Sequence, residues 1–132
     1  MAKLSDLINT GINTEVVRIQ GVEIPIMFAM DTFNYVQSAY GKPYKIFEQD
    51  LNRMLMKKGG KVHLGNNEMK IMYALIYGMV RTGGTECTLQ EIRGGTPIKD
   101  LQEIFQKVLD VFNEQDFQIK DMNRLKRSTE KK

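Results

Sequence analysis

The segment that decides the fold runs from Thr14 to Lys42 and reads TEVVRIQGVEIPIMFAMDTFNYVQSAYGK. Apolar residues alternate along its first half, and the pair Gln20-Gly21 interrupts the alternation. Strand side chains alternate between faces with period two, so a two-residue turn there places one apolar set on a single face of a hairpin over residues 14–28. The set comprises Val17, Ile19, Val22, Ile24, Ile26 and Phe28. The predicted register pairs Ile19 with Val22, Val17 with Ile24, and Glu15 with Ile26.

Two residues of the hairpin carry further information about its turn and its edge. Gly21 supplies the positive φ that such a tight turn requires. Pro25 has no amide hydrogen, which predicts a free edge on the second strand. An isolated two-stranded ribbon is marginal in water, so helices must cover its apolar face.

Five helices are expected after the hairpin, and capping residues, glycines and prolines set their limits. Asp31 opens the first, Pro43 suits the first position of the second, and Asn66 or Asn67 can cap the third. Thr88 begins the fourth, with Glu91 at capping-box spacing. The predicted ranges are 31–40, 43–58, 67–82, 88–93 and 97–114.

Apolar patterning indicates which of these helices form the core. The third helix is apolar nearly all round, so we expect it at the centre of the domain with Leu75 and Ile76 fully buried. The last helix has a one-sided stripe of Leu101, Ile104, Phe105, Val108, Leu109 and Phe112. The sequence therefore predicts an α+β fold, an N-terminal antiparallel β-hairpin packed on a mainly α-helical domain of about five helices. We expect one globular domain over residues 1–125 and a flexible basic tail over 126–132.

The net charge of +3 is unevenly distributed over the 132 residues. Residues 120–132 contain six basic and two acidic side chains, which leaves 13 basic and 14 acidic side chains in the first 119. A nucleic-acid-binding domain usually has a basic face on its folded body, so no nucleic-acid partner is expected. The longest apolar run, Ile71–Val80, is about half the roughly 20 residues that span a bilayer, so no membrane association is expected. The single cysteine and the absence of a leader pattern favour a cytoplasmic protein.

The candidate chemical sites have simpler structural interpretations. His63 is the only histidine, so neither a metal site nor activation of Cys87 as a nucleophile is expected. The Gly-Gly pairs are interpreted as helix stops, because none follows a strand and opens a helix as a phosphate loop does. We expect no enzyme activity, no metal and no cofactor. Candidate partner-binding residues are Met27 and Met30 beside the hairpin and Arg124, Lys126 and Arg127 near the C-terminus.

Several stretches together resemble the tail assembly chaperones of long-tailed bacteriophages and prophages of Gram-positive bacteria. These stretches are Val16–Ile26, Met30–Phe33, Tyr40–Tyr44, Leu75–Arg81 and Leu101–Asn113. The likeness covers most of the chain, and it lies in structural patterns and not in a catalytic signature. It transfers no catalytic residue to this chain.

The resemblance implies a non-enzymatic role in phage tail assembly. Such a chaperone binds the long helical tape measure protein while the tail tube polymerises around it, and leaves before the virion is complete. The implied partners are the tape measure protein, the tail tube protein and further copies of the chain itself, in the host cytoplasm. Two alternatives remain open: a structural tail component, such as a completion or connector protein, and a small DNA-binding regulator.

Overall fold

The computed structural model describes residues 3–7, 14–56 and 65–130, with side chains in the last helix described as far as Glu114. A short helix α1 spans Leu4–Leu7, followed by strands β1 (Thr14–Ile19) and β2 (Val22–Met27). The remaining helices are α2 (Met30–Tyr40), α3 (Tyr44–Met56), α4 (Asn66–Thr82), α5 (Leu89–Gly95) and α6 (Ile98–Glu130). The predicted α+β fold, a hairpin followed by five helices, is confirmed. The single turn of α1 is an addition to the prediction.

The hairpin has the predicted register, with Ile19 opposite Val22 and Val17 opposite Ile24. Gln20 and Gly21 both have positive φ, at 54° and 78°, as a type I′ turn requires. Val17 and Ile26 are buried, whereas Val22 is 57% exposed. The apolar face is therefore buried at the base of the hairpin and not at its tip.

The edge of β2 at Pro25 lies against the end of α4. β1 and β2 form a two-stranded sheet, so β2 has no further strand beside it among the described residues. A Cβ added to Gly83, which follows the last residue of α4, would overlap the carbonyl group of Pro25. The edge has no strand partner, as predicted, but the end of α4 covers it.

The third predicted helix is the centre of the core, as expected. In α4 every residue from Ile71 to Ile76 is buried, and Leu75 and Ile76 have no exposed surface. α2 runs antiparallel to α4, since Thr32 hydrogen-bonds Thr82 at one end while Tyr40 lies beside Lys70 at the other.

The closest approach of α2 and α4 is at Gly78. A Cβ built on Gly78 would overlap Cγ2 of Val36, which is fully buried. Because Gly78 has no side chain, α2 can approach α4 closely enough for Val36 to contact Gly78.

Three helix boundaries bear on the capping predictions. Ala29 precedes α2, and its amide donates to Thr32 Oγ1 at 3.0 Å, so Asp31 lies in the first turn and does not open the helix. Gly65 precedes α4 without a side-chain cap, so the predicted cap at Asn66 or Asn67 is wrong. The capping box at the start of α5 is confirmed by reciprocal 3.0 Å hydrogen bonds between Thr88 and Glu91.

The largest difference from the prediction concerns α6. Its apolar stripe is buried as predicted, but the helix runs without a break to Glu130. The expected end near residue 114 is therefore corrected, and residues 126–130 of the expected basic tail continue the helix. The reason is local, because no glycine or proline occurs between Asn113 and Glu130 and the loss of apolar periodicity does not by itself end a helix. At 1.5 Å per residue, α6 is about 50 Å long.

Candidate partner-binding surfaces

A concave surface with an apolar base lies between the first half of α4, the end of α2 and α5. We call it the α4 groove. It is lined by Ala39, Met69, Lys70, Tyr73, Leu89 and Arg93, together with Asn66 and Asn67 at one end, and its volume is about 430 Å³. Met69 and Leu89 are half-buried, and Tyr73 is only 5% exposed and forms the floor. The groove therefore has an apolar base that water reaches from one side.

The rim of the α4 groove is cationic. The guanidinium of Arg93 lies 6.0 Å from the ring centroid of Tyr73, and Lys70 is exposed on α4. No carboxylate is among the described residues that line the groove. Glu91, on the neighbouring turn of α5, accepts the Thr88 amide as part of the helix cap.

The floor of the groove continues along α4 into a second cluster, because Met69, Tyr73, Tyr77 and Arg81 follow one another at four-residue intervals. The rings of Tyr77 and Tyr35 meet edge to face with centroids 6.3 Å apart. The guanidinium of Arg81 lies 4.9 Å from the Tyr35 centroid and donates to the carbonyl of Cys87 at 3.1 Å. A side-chain hydrogen bond with Tyr35 raises the pKa of Arg81, and the guanidinium stays positively charged. We call Tyr35, Tyr77 and Arg81 the Tyr35–Tyr77–Arg81 cluster.

The candidate residues near the hairpin have different surroundings. Met30 is 76% exposed at the start of α2, and Met27 is half-buried at the end of β2. Because α2 is antiparallel to α4, Met30 lies near Thr82, about 20 Å along α4 from Met69. The structure therefore does not bring Met27 and Met30 into the α4 groove.

The basic candidates lie in the last part of α6. Arg124, Lys126 and Arg127 are part of the helix, and their side chains are outside the described part of the structure. Their role as partner-binding residues stays a prediction.

A polar pair links α2 to α3 beside the groove. The Tyr40 hydroxyl donates to Asp50 Oδ2 at 2.5 Å, and Asp50 lies 3.7 Å from the guanidinium of Arg53. Burial, followed by the hydrogen bond and charge of Asp50, raises the pKa of Tyr40 to about 12. Tyr40 therefore stays protonated at neutral pH, and the pair acts as a link between the two helices.

The remaining reactive groups form no recognisable site in the described residues. Cys87 is half-buried, and burial raises the pKa of its thiol, with Arg81 acting in the opposite direction. His63 is outside the residues that the structure describes. Among the side chains that the structure describes, which end at Glu114 in α6, no group of three or more His, Cys, Asp or Glu could hold a metal ion. No described helix has the length and apolar character needed to cross a membrane.

Sequence reasoning missed the α4 groove. The four-residue spacing from Met69 to Arg81 is visible in the sequence, but the all-round apolar character of a central helix explains it equally well. The walls come from Ala39 and Leu89, which lie far from Met69 in the chain, one before it and one after it. No local pattern brings these residues together.

Comparisons with protein-family models, with curated proteins and with solved structures found no match to this chain. The resemblance to tail assembly chaperones therefore rests on the residues of the chain alone.

Proposed function

We propose that this protein is a non-enzymatic phage tail assembly chaperone that binds the tape measure protein and promotes assembly of the tail tube around it. The observation that carries the proposal is the α4 groove, an open surface of aromatic and aliphatic side chains with a cationic rim. The likeness of the hairpin, α2, α4 and α6 to such chaperones supplies the biological setting. The tail tube protein and a second copy of the chain are further candidate partners.

The physical task of such a chaperone fits a surface of this kind. A long helical protein that the tail tube does not yet enclose exposes apolar stripes, and large exposed apolar patches promote aggregation. A partner that covers a stripe reversibly needs an apolar base with a polar rim, as in helix-in-groove recognition. Tyrosine, methionine and arginine, which line the α4 groove and the adjoining cluster, are enriched at such interfaces.

The dimensions of the surface suit a single helix. The row from Met69 to Arg81 is about 18 Å long, which corresponds to three to four turns of a docked helix. The walls on α2 and α5 flank this row on its two sides. A partner segment of three to four helical turns is therefore the expected unit of binding.

The chaperone acts in the host cytoplasm while the tail is assembled, and it is absent from the mature virion. A structural tail component remains in the particle, so mass spectrometry of purified virions separates the two. Detection of this chain at a fixed copy number per virion would favour the structural component.

Co-expression with a tape measure protein from the same phage or prophage tests the binding activity. We expect wild-type chain to raise the soluble yield of the tape measure protein severalfold and to co-purify with it. Leu89→Asp places a charge on the apolar wall of the groove and should abolish co-purification. Val22→Asp is the matched control, because it places the same charge on an exposed apolar residue at the hairpin tip. Equal loss in both variants, with folded protein in each case, would contradict an assignment to the groove.

A further inference from the structure

We propose that the α4 groove selects an acidic amphipathic helix, in which an apolar stripe is flanked on both sides by glutamate or aspartate. As a description of how the tape measure protein is recognised, this inference rests on the proposed function. As a description of what the groove binds, it rests only on the side chains that form the groove.

Positive charge is concentrated around the groove. Arg93 projects from α5 on one side, while Lys70 lies on α4 with its Nζ 5.4 Å from the Tyr40 ring centroid. The first 119 residues of the chain have one more acidic than basic side chain, so this concentration of cations is a local feature and not an overall excess.

The carboxylates near the groove are already engaged or lie outside it. Glu91 accepts the amide of Thr88, and Asp50 accepts the hydroxyl of Tyr40. Glu68 lines the separate pocket beside Tyr40 and Asp50. The cations on the rim therefore have no carboxylate partner within the lining of the groove, and an incoming acidic side chain can supply one.

The two arginines beside the groove and the adjoining cluster are held in place before a partner binds. Arg93 lies over the ring of Tyr73, and Arg81 lies over the ring of Tyr35 and is held by the Cys87 carbonyl. A guanidinium held over an aromatic face loses less conformational freedom when it binds a carboxylate than a free one does. The two arginines are therefore placed to accept acidic residues about two turns apart along one partner helix.

Two other occupants fit the groove less well. A second copy of this chain would offer the end of α6, but residues 115–130 have four basic and three acidic side chains and do not complement a cationic rim. A single-stranded nucleic acid needs free ring faces on which bases stack. Here Tyr73 is 5% exposed and Tyr35 has a guanidinium over one face, and the described residues that line the groove include no aromatic ring besides Tyr73.

The test uses two synthetic peptides of equal length with the same leucine stripe, one flanked by glutamates and the other by lysines, each long enough to form a helix in isolation. We expect the full chain to bind the glutamate peptide at least tenfold more tightly than the lysine peptide at 0.15 M salt. Hydrogen exchange should show protection of Met69–Arg81 and Leu89–Gly95 on binding. Equal affinity for the two peptides, or protection elsewhere, would overturn the inference.

A pair of double variants assigns the charge selectivity to the groove. Lys70→Glu with Arg93→Glu should weaken binding of the glutamate peptide at least tenfold, since repulsion replaces attraction at both walls. Lys45→Glu with Lys107→Glu makes the same change in net charge at exposed positions of α3 and α6, and should change the affinity less than twofold because distant charges are screened at this salt concentration. Circular dichroism melts check that both variants fold. Equal weakening by the two variants would show a non-specific charge effect and refute the inference.

Two combinations of results distinguish a failure of this inference from a failure of the proposed function. If the wild type retains the tape measure protein and the groove variant retains it equally well, the groove is not the binding site although the chaperone function stands. If the glutamate peptide occupies the groove but the tape measure protein is not bound, the groove inference stands and the proposed function fails. An oligothymidine probe that protects the same residues more strongly than the glutamate peptide would refute a helical protein partner.

Discussion

Replacement of Gly78 by alanine tests the packing that holds α2 against α4. In an exposed helix the change stabilises by about 1 kcal/mol, because alanine is the better helix former. Here the added Cβ overlaps Cγ2 of Val36, and the Thr32 side chain and carbonyl lie 3.4 Å away. Valine in a helix has essentially one χ1 rotamer, so Val36 cannot turn aside.

The expected magnitude follows from these opposing effects. Overpacking of a tight core costs roughly 1–3 kcal/mol, and the overlap with a rigid side chain places Gly78→Ala at the upper end of that range. After the gain in helix propensity, the net loss in the free energy of unfolding is about 2 kcal/mol. For a chain of this length the melting temperature should fall by roughly 6–8 °C.

Denaturant and thermal unfolding followed by circular dichroism measure this loss, with Gly94→Ala as the control. Gly94 lies in α5 with nothing within 4 Å of an added Cβ, so its replacement should be neutral or stabilising. Val36→Ala alone should cost about 2–3 kcal/mol, while the double variant should be about 3 kcal/mol more stable than the sum of the single changes, because the overlap is relieved and the gain in helix propensity remains. A stabilised Gly78→Ala protein, or additive single changes, would refute the proposed contact.

Three further predictions address other parts of the structure. Tyr40 should make the free energy of unfolding fall between pH 10 and 12. Its folded pKa of about 12 lies above the ordinary value of 10.0, so the folded state keeps a proton that the unfolded state loses. The wild type should lose up to about 2–3 kcal/mol more than Tyr40→Phe over this range, and parallel pH profiles of the two proteins would contradict the prediction. Leu75→Asp should prevent folding, since an unpaired buried charge costs several kcal/mol against a total stability of about 5–15 kcal/mol, and a soluble variant with a cooperative melt would show that α4 is not the centre of the core. Removal of residues 128–132, which include no apolar side chain, should change the melting temperature by less than about 2 °C, as surface changes usually do; a fall of about ten degrees would show that these residues belong to the fold.

The fold was predictable where local rules act alone. The hairpin register follows from alternation and a two-residue turn, and the start of α5 follows from the spacing of Thr88 and Glu91. Both were confirmed. The burial of Leu75 and Ile76 was predictable because a helix that is apolar on all sides has no other stable position.

The features that sequence reasoning missed depend on tertiary contacts or on the absence of a signal. Val22 has the right alternation for burial, but its exposure depends on how far the helices reach along the hairpin. The continuation of α6 beyond residue 114 was missed because weaker periodicity was interpreted as an end, although no residue there terminates a helix. The α4 groove needs Ala39 and Leu89 beside Met69, and only the packing of α2 and α5 on α4 brings these residues together.

We propose that the chain binds the tape measure protein during tail assembly and is absent from the finished tail. Deletion of its gene from the phage or prophage, followed by electron microscopy of the particles, is the decisive test. We expect normal heads without tails, with tails restored by the wild-type gene supplied from a plasmid and not by Leu89→Asp. Normal tails from a clean deletion would contradict the chaperone function, whatever the binding assays show.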